Sequence, residues 1–108
     1  MKTLQEIKKE IIDYLWEREI NDYSAENMLF LYRELNDLFL DGKLHFDVVD
    51  DYCGELYIIC SIDVEVTENK RFSIVIDRNV WSSDAQDTAE KLVELYEKSK
   101  DTENYFKF

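Results

Sequence analysis

A change of hydrophobic period at Leu44 constrains the fold more than any other feature of this sequence. Before it, apolar residues recur every three or four positions, which predicts amphipathic helices. After it, they alternate with polar residues, which predicts strands with one buried face. The alternating apolar positions are Leu44, Phe46, Val48, Leu56, Ile58, Cys60, Ile62, Val64, Val66, Phe72, Ile74 and Ile76. We therefore predict three strands, at about 43–49, 55–67 and 71–77.

Helices are predicted before and after these strands in the sequence, at about 3–20, 24–41 and 83–99. Thr3 and Glu6 have the spacing of a capping box, and Ser24 is a suitable N-cap for the second helix. Gly42 follows the last periodic residue of the second helix and is expected to end it. The apolar stripe of the first helix includes Ile12 and Trp16, and that of the second includes Leu38. The third helix is expected to be capped by Ser82 or Ser83.

The strand pattern also predicts a register. Buried residues face buried residues only if the numbers of paired residues have an even sum. We expect Val48 opposite Leu56 and Val66 opposite Phe72, with loops at 50–54 and 68–70. The predicted fold is α+β, a single domain of order ααβββα, in which a three-stranded antiparallel meander carries the helices on one face. The aromatic tail, 104–108, is expected to dock on this body.

Length and charge exclude several classes of protein. The chain has 108 residues, which is too short for two domains. Of these residues 45% are hydrophobic, which is enough to form one core. A net charge of -12 argues against direct nucleic-acid binding. No apolar run approaches the length of a membrane span, so we expect no membrane partner. Two cysteines do not make a disulfide framework, and we expect a cytoplasmic protein.

The residues that carry most enzyme chemistry are scarce. His45 is the single histidine, and the alternation places it on the opposite sheet face from Cys60, so these two cannot form a catalytic dyad. Cys53 lies in a loop too far along the hairpin to pair with His45. We expect a protein that is not an enzyme and has no cofactor and no metal. A cation held by the carboxylates around the first strand loop stays open as an alternative.

The acidic residues are concentrated in the hairpin. Between Asp41 and Glu68 there are eight acidic residues and one basic residue, Lys43, a net charge of -7. Several of these carboxylates are expected on the outward sheet face, around Tyr57, Ile59 and Val75. Apolar anchors rimmed by charge are typical of protein interfaces. The predicted partner-binding residues are Asp47, Asp50, Asp51, Tyr52, Glu55, Tyr57, Ile59, Asp63 and Glu65.

These observations favour a small acidic binding protein with a basic protein partner. The expected function is inhibition of a nucleic-acid-handling protein. One form would be a phage anti-defence, anti-CRISPR-like protein that mimics nucleic acid. The other would be an immunity protein or antitoxin against a nuclease. The alternative is a non-inhibitory adaptor or a homodimeric module that binds through the outward sheet face.

Overall fold

The computed structural model describes residues 2–50, 53–80, 82 and 84–105, with the side chains of all of these except 66, 67 and 102–105. Three helices and a three-stranded antiparallel sheet follow one another in the predicted ααβββα order, so the α+β prediction is confirmed. The elements are α1 (Leu4–Arg18), α2 (Ala25–Phe39), β1 (His45–Asp50), β2 (Leu56–Thr67), β3 (Lys70–Asp77) and α3 (Ala85–Tyr105).

The caps predicted for the first two helices are present. The Thr3 hydroxyl accepts a hydrogen bond from the Glu6 amide at 3.2 Å and donates one to the Glu6 carboxylate at 3.1 Å. The Ser24 hydroxyl accepts from the Asn27 amide in the same way. After α2, Gly42 has a φ of 65°, and its amide donates to the carbonyl of Asn36. Asp41, before it, also has a positive φ of 59°, so the chain leaves α2 through two left-handed residues, a conformation that glycine adopts without steric cost.

Both ends of α3 differ from the prediction. Asp84 caps the helix, because its carboxylate accepts from the amides of Gln86 and Asp87 at 2.8 and 3.0 Å. Ser82, one of the two predicted caps, instead accepts from the Asp84 amide, and residue 83 lies outside the described part of the chain. The helix continues to Tyr105 rather than ending near 99, since no glycine or proline interrupts it. The docking predicted for the tail 104–108 concerns side chains outside those described.

The sheet has the predicted strand order and faces but a different register. Val48 lies opposite Ile58, and Val64 lies opposite Phe72. Both pairings differ by two residues from the prediction, so the buried face is preserved while the loops move. β1 continues to Asp50. The turn between β2 and β3 is shorter than predicted, residues 68 and 69, because the register shifts between Glu65 and Thr67.

The core lies between one face of the sheet and the helices. α2 packs on β1 and β2, α3 packs on β2 and β3, and α1 packs on the other two helices. Ile58, Cys60 and Ile62 of β2 are at most 1% exposed there. The ends of the predicted apolar face are not covered, since Leu56 and Phe72 are exposed. The predicted stripe of α2 is wrong at Leu38, which is also exposed.

Side chains of α2 cover the start of the free edge of β1. The Asn36 amide donates to the carbonyl of Leu44 at 2.6 Å, and its oxygen accepts from the Leu44 amide at 3.1 Å. The Arg33 guanidinium donates twice to the carbonyl of Phe46, at 3.0 and 3.2 Å. These bonds satisfy backbone groups that an edge strand would otherwise present to another strand.

Candidate acidic sheet face and apolar groove

One sheet face carries most of the predicted partner-binding residues. We call it the outer sheet face. It consists of the strand residues that lie on the side of the sheet away from the helices, where the register places them opposite one another. They are His45, Asp47, Val49, Tyr57, Ile59, Ser61, Asp63, Glu65, Arg71, Ser73 and Val75. The structure therefore brings together five of the nine predicted residues on this face.

The three carboxylates of the outer sheet face are exposed, and each has a cationic or titratable neighbour, which for Glu65 is Arg71, opposite it on β3. Arg33 donates to the Asp47 carboxylate at 3.3 Å. The imidazole Nε2 of His45 lies 3.2 Å from the carboxylate of Asp63 and forms an ion pair with it when protonated. Both pairs are about half exposed, so they contribute little to stability. They do restrict where the two carboxylates sit.

Apolar side chains accompany these carboxylates. Ile59 lies opposite Asp47, and Tyr57 lies opposite Val49, all on β1 and β2. Tyr57 and Ile59 are half-buried, whereas Val75 on β3 is 43% exposed. The outer sheet face thus combines anionic groups with a small apolar area that no described helix covers.

The remaining predicted residues are not on this face. Asp50 is the last residue of β1 and lies opposite Leu56. It is on the same side of the sheet as Val48, the side of the helices, so the prediction that Asp50 lies in the loop is wrong. The two-residue difference in register causes this change. Glu55 precedes β2 and is exposed. Asp51 and Tyr52 lie outside the described residues.

The cysteines and the histidine occupy separate places. Cys60 is fully buried on the helix-facing side, opposite Phe46, while His45 is on the outer sheet face. Burial raises the pKa of the Cys60 thiol to about 12. A thiol with that pKa is a poor nucleophile near neutral pH. Cys53 is exposed, between the two strands of the first hairpin.

Within residues 2–50, 53–80, 82 and 84–105, no three His, Cys, Asp or Glu side chains are close enough together to hold a metal ion. Over the same part of the chain, no helix has the length and apolar character needed to cross a membrane.

Sequence reasoning missed an apolar groove of about 590 Å³ at one end of the helices. The C-terminal half of α1, the start of α2 and the start of α3 surround it. Its apolar lining is Ile12, Leu15, Ile20, Met28, Leu31 and Ala85. Trp16 and Tyr23 stand at the rim, and Trp16 is 73% exposed. The assignment of Trp16 to the buried stripe of α1 is therefore wrong, because α2 and α3 leave the groove open beside it.

Acidic groups border this groove. Glu19 and Asp84 contribute to its lining, which contains no Lys, Arg or His among the residues that the structure describes. Glu19 ends α1 with φ 50° and ψ 73°, a left-handed backbone that non-glycine residues seldom adopt. Arg18, its neighbour in the chain, is engaged by Glu34 and Tyr14. The groove therefore combines an apolar floor with an anionic border.

Comparison with known proteins gives no relative from which a function could be transferred. No protein-family model, no curated protein and no solved structure matches this chain.

Proposed function

We propose that this chain is a non-enzymatic binding protein that engages a basic surface of a nucleic-acid-handling protein through its outer sheet face and thereby inhibits it. The observation that carries the proposal is the exposure of Asp47, Asp63 and Glu65 on one face, next to Tyr57 and Ile59. Anionic groups around apolar anchors favour a cationic partner with a complementary apolar contact.

The arrangement of the charges supports a protein partner of this kind. Asp63 and Glu65 are two residues apart on β2 and therefore project from the same face about 7 Å apart. Asp47 adds a third carboxylate from β1, held near Arg33. A row of fixed negative charge can occupy a groove that otherwise binds a nucleic-acid backbone, and it also accelerates encounter with a basic protein.

The net charge of the chain supports the same partner. At -12 the protein repels nucleic acid itself, and it attracts proteins that bind nucleic acid. Such a complex would be weakened by salt, because much of its affinity would come from exposed charges.

The test is affinity capture with matched charge variants. The wild-type protein, an outer-face variant (Asp47→Lys, Asp63→Lys, Glu65→Lys) and a helix variant (Glu94→Lys, Glu97→Lys, Asp101→Lys) are immobilised. Each is exposed to a lysate of the source organism and eluted with a salt gradient. The substituted residues of the helix variant are exposed on α3, so both variants change the net charge equally.

We expect wild type and helix variant to retain a basic nucleic-acid-binding protein that elutes at moderate salt, and the outer-face variant to lose it. Adding short duplex DNA should displace the captured protein, and adding the wild-type chain should reduce the captured protein's activity on nucleic acid. Equal retention by both variants would contradict the use of this face. A partner released only by denaturant would instead support a non-inhibitory adaptor or a homodimer.

A further inference from the structure

We propose a second binding surface, the apolar groove between α1, α2 and α3, and we infer that it takes a cationic amphipathic segment of a partner protein. This groove is on the helical side of the molecule, whereas the outer sheet face is on the side of the sheet away from the helices. The proposal therefore does not depend on the function proposed for the outer sheet face.

The shape and lining of the groove fit an apolar side chain of a partner. Leu15, Met28 and Leu31 form a floor that is at most 4% exposed, and Ile12 and Ile20 are half-buried beside it. A volume of about 590 Å³ accommodates several large side chains. Trp16 at the rim presents a broad apolar surface, and tryptophan is the residue type most enriched at the centres of protein interfaces.

The charge at the border decides the chemistry of the occupant. Glu19 and Asp84 are the residues of the described lining that are charged at neutral pH, and both are acidic. The Asp84 carboxylate also caps α3, so Glu19 offers the less engaged carboxylate. An apolar anchor flanked by Lys or Arg would fill the groove and meet Glu19. An acidic segment would be repelled.

Hydrogen bonds hold two segments beside the groove against α2. The Tyr32 hydroxyl accepts from the Ser82 amide at 2.9 Å and donates to the Val80 carbonyl at 3.1 Å. These bonds attach Val80 and Ser82, which precede α3, to α2. On the other side, the side-chain amide of Asn27 donates to the backbone carbonyl of Asp22 at 2.6 Å, which attaches the connection between α1 and α2 to the start of α2. A preformed groove loses less entropy when it binds than a flexible one.

The left-handed Glu19 is consistent with this assignment. Its positive φ is a conformation that glycine adopts at lower steric cost than glutamate. A conformation of this kind is found more often at binding sites than elsewhere. Here it ends α1 abruptly and turns the following chain so that Ile20 and Tyr23 form one wall of the groove.

The test uses defined peptides and the full chain. A fluorescein-labelled 14-residue helix of Leu and Lys is the probe. Its controls are a peptide with the same composition in scrambled order and a Leu–Glu peptide of the same pattern. Binding is measured by fluorescence anisotropy. Amide chemical shifts of the ¹⁵N-labelled protein then map where the peptide binds. We expect the Leu–Lys helix to bind and to shift residues of the groove.

Matched variants separate the groove from general acidity. Trp16→Ala should weaken binding about tenfold or more, while Phe30→Ala should leave it within about twofold. Phe30 is 66% exposed on α2 and does not line the groove, so both variants remove a similarly exposed aromatic ring. Glu19→Gln should weaken binding several-fold, and Glu17→Gln, at an exposed position outside the groove lining, should not.

Three outcomes would overturn the proposal. They are equal affinity for the scrambled peptide, equal weakening by Trp16→Ala and Phe30→Ala, and chemical shifts confined to the outer sheet face. The outer-face variant described above is a further check, because it should retain the groove peptide. Loss of peptide binding by that variant alone would place the site on the sheet and contradict the groove.

Discussion

Asn36 and Leu44 are joined in both directions, since the side-chain amide of Asn36 donates to the backbone carbonyl of Leu44 and its oxygen accepts from the backbone amide. Both residues are buried, with Leu44 1% exposed and Asn36 5%. The side chain of Asn36 thereby fills the place of a neighbouring strand at the start of β1. It connects α2 to the sheet at the point where the hydrophobic period changes.

The Asn36–Leu44 pair predicts that removing the side-chain amide of Asn36 strongly destabilises the protein. Asn36→Ala would leave the N–H and C=O of Leu44 buried without partners, at about 1–3 kcal/mol for each unsatisfied group. We expect the free energy of unfolding, measured by urea denaturation, to fall accordingly. Asn21→Ala, at an exposed position between α1 and α2, should change it by less than about 0.5 kcal/mol. A similar effect of both substitutions would contradict the role assigned to Asn36.

Neighbouring isoleucines on β2 test the two faces of the sheet. Ile58 is fully buried against the helices, and Ile59 is half-buried on the outer sheet face. Ile58→Ala should therefore destabilise the protein by about 2–5 kcal/mol, because it leaves a cavity in the core. Ile59→Ala should lower the free energy of unfolding clearly less than Ile58→Ala. The two variants are compared by chemical denaturation. A larger cost at Ile59 would mean that the faces are reversed.

The left-handed end of α1 predicts a substitution that stabilises the protein. Glu19→Gly removes the steric cost of the positive φ and should raise the free energy of unfolding by roughly 1 kcal/mol, measured by denaturant titration. Glu17→Gly, inside the same helix, should lower it by about 1 kcal/mol, because glycine is a poor helix former. A lower free energy of unfolding for both variants would show that the backbone at Glu19 is not strained.

Asp77 predicts how stability changes in acid. Its carboxylate lies 2.7 Å from Lys91 Nζ and accepts from the Asn79 amide. Burial alone would raise the pKa of Asp77, but these hydrogen bonds and the nearby Lys98 charge outweigh it and lower the pKa. Because folding lowers the pKa of Asp77, the ionised carboxylate stabilises the folded protein at pH values above the ordinary pKa of aspartate. This stabilisation is lost as the pH falls below about 4.

Asp77→Asn should accordingly be less stable than wild type at pH 7, and the difference should shrink between about pH 4 and pH 2. Urea denaturation at a series of pH values measures it. Asp13→Asn, at an exposed position of α1, should show little difference across the series. A deficit for Asp77→Asn that stays constant down to pH 2 would contradict the ion pair with Lys91.

The element order and the buried face of the sheet could be predicted from the sequence because they depend on local periodicity. The register could not. Parity requires Val48 to face an even-numbered residue of β2, and both Leu56 and Ile58 satisfy it. The choice depends on turn length and on the shift between Glu65 and Thr67, which leave no periodic signal.

The candidate sites show the same division. Alternation alone predicts that Asp47, Asp63 and Glu65 share a face, since a strand repeats every two residues. It does not predict that Arg33 reaches Asp47, because that contact depends on how α2 lies across β1. The groove was missed for a related reason. Trp16 is as hydrophobic as a core residue, and only the packing of α2 and α3 shows that it lies outside.

The two edges of the sheet have unequal capacity to accept another strand. Arg33 and Asn36 cover the start of the β1 edge, at Leu44 and Phe46, whereas along β3 no described side chain bonds the backbone between Lys70 and Val75. A strand added to this sheet would therefore meet less obstruction beside β3 than beside the start of β1. If that strand were β3 of a second copy, the combined sheet would present a β1 edge with a covered start at each end. Assembly by this route would favour two chains over a fibril.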